Sequence, residues 1–287
     1  YILCGNGAAE LIYAYCEAIS AKLAVELAPT FSEYTLGLAR AGCHVERYVL
    51  RQDNGFDLDD GFLPFLMERK PEAVFLCNPN NPTGRILPFD TLEKILEFCH
   101  QHHTRLFLDE CFLDLSDEGI SMKGYLKAYP ELCILKAFTK SYGMAGVRLG
   151  YCLCSDEELL EKMSRTVQPW NVSILAQAAG VAALSETQFL AKTKALIPVE
   201  RRWLKGELEA LGLWVCPSKA NYLLFYGEPE LHTTLKKHGI AIRNCDNYHG
   251  LSSGWYRIAV RLHEQNRQLI AAMKQVLRKE SSWQKTL

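Results

Sequence analysis

Long apolar runs are missing from this chain. No stretch approaches the ~20 residues that a membrane-spanning helix needs, and no signal-peptide pattern stands at its start, so no membrane partner is expected and a cytoplasmic location is. A surplus of one charge is missing as well. The 32 lysines and arginines against 33 aspartates and glutamates leave a formal net charge of −1, so no footprint for nucleic acid appears. The cysteines form no pattern. There are 11, an odd number, without a Cys-x-x-Cys pair or a histidine-containing zinc spacing. Cys77, Cys133, Cys152 and Cys154 sit inside apolar strand-like runs, where a free thiol acts as a small hydrophobe, and reduced thiols are expected. His100, His102 and His103 close a polar helix, where cations suit the dipole, but their spacing does not put three ligands on one face. They read as a solvated cluster, and no metal is expected. Internal repeats and low-complexity segments are also absent.

Strand-like and helical segments alternate along the 287 residues, enough for one large or two modest domains. Strand-like runs fall at Leu23–Ala28, His44–Leu50, Ala73–Cys77, Arg105–Asp109, Leu132–Lys136 and Leu149–Cys154. Between two of them, Leu92, Ile95, Leu96 and Cys99 follow the i, i+3, i+4, i+7 spacing of a helix, with Asp90 and Glu93 as an expected capping box. Such alternation predicts a mostly parallel α/β sheet covered on both faces. After residue 172 the texture changes to a long helical stretch from Ser173 to Ser185, and Pro198 is expected to break or kink the helical pattern beyond it. Strands at Asn221–Tyr226, Ile240–Arg243 and Trp255–Val260, with helices at Val199–Leu211 and Glu264–Lys279, predict a smaller α+β domain. The expected division is 1–185 and 186–287. Arg201, Arg202 and Lys205, alternating with Glu200, Glu207 and Glu209, read as an exposed helix face. The chain begins at Tyr1 and enters a strand-like run at once, so a preceding segment is expected to be missing.

The chemistry gathers around Thr139-Lys140-Ser141-Tyr142-Gly143-Met144-Ala145-Gly146-Val147-Arg148-Leu149-Gly150. Here one lysine stands among small, apolar and hydroxyl residues directly after a strand. Loss of water lowers an ammonium's pKa, and the neutral amine attacks a carbonyl. Upstream, Gly5-Asn6-Gly7 opens a helix with the apolar face Leu11, Ile12, Tyr15, Cys16 and Ile19; close backbone approach and free amides at such a terminus hold a phosphate. Asp109 closes an apolar strand at its carboxyl end, where α/β proteins place ligands, and a carboxylate there holds a pyridine nitrogen protonated. Arg148 is suited to a bidentate pair with phosphate. Together with Asn78-Pro79-Asn80-Asn81-Pro82-Thr83-Gly84, these residues match what pyridoxal 5′-phosphate needs from a protein. Taken one by one, each has a plainer role as a tight turn, a cap or half of a surface ion pair.

The set Gly5–Glu10, Asn78–Gly84, Asp109-Glu110-Cys111-Phe112 and Thr139–Gly150 resembles the fold-type I pyridoxal-phosphate enzymes of the aspartate aminotransferase superfamily, over nearly the whole chain and in order. The nearest resemblance is to the branch that holds histidinol-phosphate aminotransferase and threonine-phosphate decarboxylase of cobalamin synthesis. It implies a large cofactor domain with a seven-stranded-type sheet, a small C-terminal domain and a homodimer with the active site at its interface. Lys140 would carry the cofactor as a Schiff base, Asp109 pair with the pyridinium nitrogen, Asn81 bond the ring hydroxyl and Phe31 stack on the ring. Ala8, Ala9, Thr139 and Arg148 would hold the phosphate; Arg257 would take the substrate's α-carboxylate and Arg243 a second anionic group. Three departures stand out. Phe112 replaces a tyrosine that usually donates to the ring hydroxyl, Ala137 replaces a hydroxyl residue three before the lysine, and the family's N-terminal arm is not in the sequence.

Gln168-Pro169-Trp170-Asn171-Val172-Ser173, Phe112 and the stretch from Ile240 to Leu251 followed by Tyr256–Arg261 look like the decarboxylase. The implied activity is decarboxylation of L-threonine O-3-phosphate to (R)-1-aminopropan-2-ol phosphate and carbon dioxide. Transamination of L-histidinol phosphate with 2-oxoglutarate is the alternative. A cofactor-binding regulator domain is a third reading, although no helix-turn-helix is visible. Decarboxylase and aminotransferase differ in which bond at the α-carbon stands perpendicular to the ring, and sequence does not give angles.

Overall fold

The computed structural model describes residues 1–116 and 118–283; residues 284–287, the end of the expected second domain, lie outside them. The chain opens with β1 (Ile2–Gly5), α1 (Ala8–Ile19), β2 (Leu23–Ala28), α2 (Glu33–Arg40), β3 (His44–Val49), α3 (Phe62–Arg69), β4 (Ala73–Cys77) and α4 (Phe89–Gln101). It continues with β5 (Arg105–Asp109), two short 3-10 turns (Leu113–Leu115 and Met122–Tyr125), β6 (Leu132–Ala137), α5 (Phe138–Ser141), β7 (Gly150–Cys154), α6 (Glu157–Thr166) and α7 (Ile174–Ser185). Then come α8 (Thr187–Ala210), β8 (Trp214–Val215), β9 (Tyr222–Tyr226), α9 (Leu231–Lys237), β10 (Arg243–Asn244), β11 (Trp255–Ala259) and α10 (His263–Trp283).

Seven strands form one sheet in the order β1-β7-β6-β5-β4-β2-β3. The pairs β6·β5, β5·β4, β4·β2 and β2·β3 are parallel, and β7 runs antiparallel to both its neighbours. The inner strands are apolar at almost every position because both faces are covered. Alternation along them sorts two cores. Val25, Leu27, Val74, Leu76, Leu106, Leu108 and Ile134 face one way, against Leu92, Ile95, Leu96 and Cys99 of α4 and Phe62 and Leu66 of α3. Ala24, Phe75, Cys77, Phe107, Cys133 and Leu135 face the other, against Leu11, Ile12, Tyr15 and Cys16 of α1 and Tyr34 and Leu38 of α2. This packing sends Ala28, Cys77, Asp109 and Ala137 to the same carboxyl edge of the sheet, the edge at which loops of such folds carry ligands. A second, antiparallel sheet has the order β10-β11-β9-β8 and buries Leu223, Phe225 and Ile258 against Leu204 and Leu208 of α8 and Ile270 and Met273 of α10.

Four expectations need correction. Pro198 does not end a helix, since α8 runs unbroken from Thr187 to Ala210. The carbonyl it frees belongs to Lys194, an exposed residue, so the lost bond is open to solvent. The capping box does not form. α4 begins at Phe89 with Pro88 before it, which puts Asp90 inside the first turn, and Glu93 accepts from the Tyr125 hydroxyl instead. Ile240–Ile242 do not join the sheet, because the Ile240 N–H bonds Leu235 at the end of α9 (3.1 Å). Arg201 and Glu200 are not exposed but 6% accessible each. Arg201 donates to the Ala220 carbonyl (3.2 Å), and Glu200 accepts from Asn266 (2.9 Å) beside His263. All the cysteines are free and all but Cys4 are buried. Among the described residues no helix is long and apolar enough to cross a membrane.

Candidate active site

Lys140 lies on the single-turn helix α5, set at the end of β6 by its own strand, with Thr139 half-buried beside it. Its Nζ stands 5.0 Å from the centre of the Phe112 ring. It opens into a cavity of about 560 Å³ whose wall also carries Tyr222, Arg243 and Arg257. Desolvation, then the Arg257 guanidinium, push its pKa below the ordinary lysine value, with Asp109 acting weakly the other way. A larger neutral fraction is what an amine needs to attack a carbonyl. Beneath it, buried Lys136 sits 2.9 Å from Asp114 and 3.4 Å from Glu110, and Asp114 accepts from Ser141 (3.2 Å). Burial disfavours the Lys136 ammonium, but Glu110 and Asp114 outweigh it and raise its pKa.

Asp109, at the end of β5, is 5% accessible. Its Oδ1 accepts the Cys111 N–H at 2.9 Å and its Oδ2 the Tyr34 hydroxyl at 2.6 Å. Phe31 follows β2, and its ring meets Tyr34 edge-on at 5.6 Å. Asn80 ties this turn to the next loop, donating to Pro29 (2.9 Å) and accepting from Thr30 (2.8 Å).

A cradle for a phosphate exists at the start of α1. Gly7 has φ 83°, no side chain caps the helix, and the amides of Ala8 and Ala9 open its first turn. A Cβ on Gly7 would fall 2.5 Å from Nη2 of Arg148, and one on Gly150 would fall 2.6 Å from the Ala8 nitrogen. Only glycine lets the guanidinium and the β7 backbone come this close. Glu10 braces the turn, accepting from the Asn6 N–H (2.7 Å) and from Asn171 (2.6 Å).

The substrate end is built by the small sheet. Arg243 and Arg257 are direct partners across the β10·β11 ladder. Like charges placed opposite each other repel, and neither guanidinium meets a carboxylate among the described residues. Arg257 donates to Asn81 Oδ1, which also accepts from the Tyr248 hydroxyl at 3.2 Å, leaving the Asn81 amide NH₂ to meet a ring oxygen. Arg243 donates to Asn247 (2.8 Å) and lies 5.7 Å from the centre of the Tyr248 ring.

Sequence reasoning missed Tyr34, Tyr222 and Tyr248. Tyr34 lies in the first turn of α2, and no local pattern marks it as a partner of Asp109. Tyr222 donates to the Asn80 carbonyl (2.8 Å) and meets Phe112 edge-on at 4.9 Å, so Phe112 fills space where a phenol was expected. Ala137 is buried before α5 and offers no cap to it. The three histidines at the end of α4 stay apart from this site: His100 lies 3.2 Å from Glu131, and the His102 ring packs on Phe98 at 4.5 Å.

The cradle, the amine that lines the cavity and the buried carboxylate fit pyridoxal phosphate, each answering one part of it: phosphate, aldehyde and ring nitrogen. The family profile described as "Aminotransferase class I and II" matches residues 1–273. Threonine-phosphate decarboxylase of Salmonella typhimurium is 36% identical over 281 residues, 96% of this chain and 77% of that protein. Histidinol-phosphate aminotransferase of Methanosarcina mazei is 33% identical over 250 residues, 86% of this chain and 65% of that protein. The crystal structure of the histidinol-phosphate aminotransferase from Clostridium acetobutylicum superposes with a TM-score of 0.90 at 27% identity, covering 97% of this chain and 84% of that one. The chain belongs to the class I and II aminotransferase family, an enzyme family that depends on pyridoxal 5′-phosphate.

Proposed function

We propose that this enzyme decarboxylates L-threonine O-3-phosphate to (R)-1-aminopropan-2-ol phosphate and carbon dioxide. The observation that carries the reading is the register pair Arg243 and Arg257, two unneutralised guanidiniums facing each other beside Lys140. Threonine phosphate brings two anionic groups to them, and a planar guanidinium suits both carboxylate and phosphate. The bound cofactor supplies an electron sink for the pair left at the α-carbon when a bond there breaks. Arg257 holds the carboxylate, Arg243 the phosphate, and Lys140 Nζ returns a proton to the α-carbon once carbon dioxide has left. Similarity to the Salmonella decarboxylase supports the reading. Histidinol-phosphate transamination is the second reading, favoured by the TM-score of 0.90. Histidinol phosphate has one anionic group, so that reaction fills both arginines only with its dicarboxylate partner.

Release of carbon dioxide from threonine phosphate without 2-oxoglutarate is the expected result; glutamate formation that needs both histidinol phosphate and 2-oxoglutarate would replace the first reading by the second. Arg243→Ala should lower kcat/KM for threonine phosphate by about 1.5–3 kcal/mol, the range for a hydrogen bond to a charged group. Unphosphorylated threonine should barely notice the change. Equal losses for both substrates would remove the phosphate from Arg243.

The division into a cofactor domain to residue 185 and a small domain after it, and a cytosolic homodimer, belong to the same proposal. On α7, Ile174, Leu175, Val181 and Leu184 are 61–80% exposed, an apolar patch that a second copy would cover. Light scattering should give the mass of a dimer, and Leu175→Glu with Val181→Glu should give a monomer. A wild-type monomer with full activity would sink the dimer.

A further inference from the structure

Asp109 has no cation against it, although it is almost wholly buried. Among the described residues it forms no ion pair; the Cys111 N–H donates to one oxygen and the Tyr34 hydroxyl to the other, with the Cys111 thiol also against the carboxylate. The Cys111 amide is fixed by the backbone. The Tyr34 hydroxyl is fixed by packing: the Tyr34 ring, fully buried, touches Phe31 at 5.6 Å, Phe75 at 5.9 Å and Phe107 at 6.1 Å. The three rings hold the phenol in place, and its hydroxyl donates to Asp109 with the Cys77 thiol alongside.

We propose that Tyr34 is a positioning residue that holds the Asp109 carboxylate correctly turned and takes up part of its charge, and so keeps the proton on the ring nitrogen of the bound cofactor. The inference rests on the reading of Asp109 as the partner of that nitrogen. Carboxylate and pyridine nitrogen compete for one proton across a short buried contact. A donor to the charged form of a carboxylate makes it the weaker base, so the proton stays on the nitrogen. Burial, then the neighbouring Asp109, drive the Tyr34 pKa far up, which holds the phenol protonated and donating across the working pH range. An arginine in its place would neutralise Asp109 outright and loosen its hold on a positive ring; a phenol withdraws only part of the charge.

The test uses the holoenzyme loaded with pyridoxal phosphate labelled with ¹⁵N in the ring. In Tyr34→Phe, which keeps the aromatic packing, the ring nitrogen signal should move from pyridinium toward neutral pyridine. The pH midpoint of the bound cofactor's visible absorbance should shift, and kcat should fall about tenfold with KM within about twofold, the scale of one hydrogen bond to a charge. Replacing Tyr34 by 3-fluorotyrosine, a stronger donor of nearly the same shape, should shift the midpoint the opposite way. A nitrogen signal and midpoint that match wild type in Tyr34→Phe overturn the proposal. Should that variant not fold, an unchanged midpoint in the fluorotyrosine protein overturns it equally. Asp109→Asn separates the two readings. If it leaves the nitrogen signal alone, the assignment of Asp109 is wrong; if it moves the signal and Tyr34→Phe does not, the role of Tyr34 alone falls.

Discussion

Lys140→Ala should cost at least about a thousandfold in turnover, because it removes at once the group that binds the cofactor and the group that moves the proton. Wild-type protein mixed with pyridoxal phosphate should absorb in the visible, and borohydride should then fix the cofactor on the peptide that contains Lys140. The variant should still take up the cofactor through the Gly7–Arg148 cradle, but borohydride should fix nothing. Fixation on Lys136, 2.9 Å from Asp114 and charged by its two carboxylates, would show that the wrong lysine had been chosen. The pH dependence carries the same argument. Desolvation and Arg257 lower the Lys140 pKa, so the neutral amine is present at lower pH than for an ordinary lysine. The rate of covalent loading should therefore rise with pH and level off below 10.5, the ordinary lysine value. Arg257→Ala removes the second of the two causes, and its plateau should lie at higher pH than that of wild type.

Much of the large sheet was legible because its strands are short apolar runs that end in polar or glycine-rich turns. A strand buried on both faces cannot hide its composition, so β2, β4, β5 and β6 fall where the apolar runs do. Residues held by a local motif were legible too. Lys140 stands where a strand passes into one helical turn, Asp109 ends a strand, and Gly7 precedes a helix, so each announces its backbone setting in a few neighbouring letters. What was not legible depends on distant partners. Glu200 and Arg201 look like any charged pair on a helix until Ala220 and Asn266 arrive to bury them. Ile240 and Ile242 have strand chemistry, yet the Ile240 N–H bonds Leu235 and the strand starts only at Arg243. The pairing of Arg243 with Arg257 is a register, and register is decided by how strands align, which no single strand states. Tyr34 met Asp109 across 75 residues of chain, beyond the reach of any local pattern.

Asp109→Ala separates binding from chemistry more sharply than any other change in this site. Its carboxylate lies apart from the phosphate cradle and does not touch the Lys140 amine, so loading with pyridoxal phosphate should persist, weakened by no more than about tenfold. Turnover should fall by about a thousandfold, since a ring nitrogen with no anion beside it loses its proton and with it the pull on the α-carbon's electrons. The protein itself should lose about 1–3 kcal/mol of stability for each of the two buried donors left without an acceptor, the Cys111 N–H and the Tyr34 hydroxyl. Asp109→Glu keeps the charge but pushes it one methylene into a space closed by Tyr34 and Cys111, and should recover only part of the activity. Equilibrium dialysis of the cofactor against kcat measures the split. If Asp109→Ala kept turnover within tenfold of wild type while its cofactor bound normally, the buried carboxylate would be a structural hydrogen-bond acceptor for Tyr34 and Cys111 and nothing more. The electron-withdrawing charge would then have to come from an arginine of the cavity, such as Arg257.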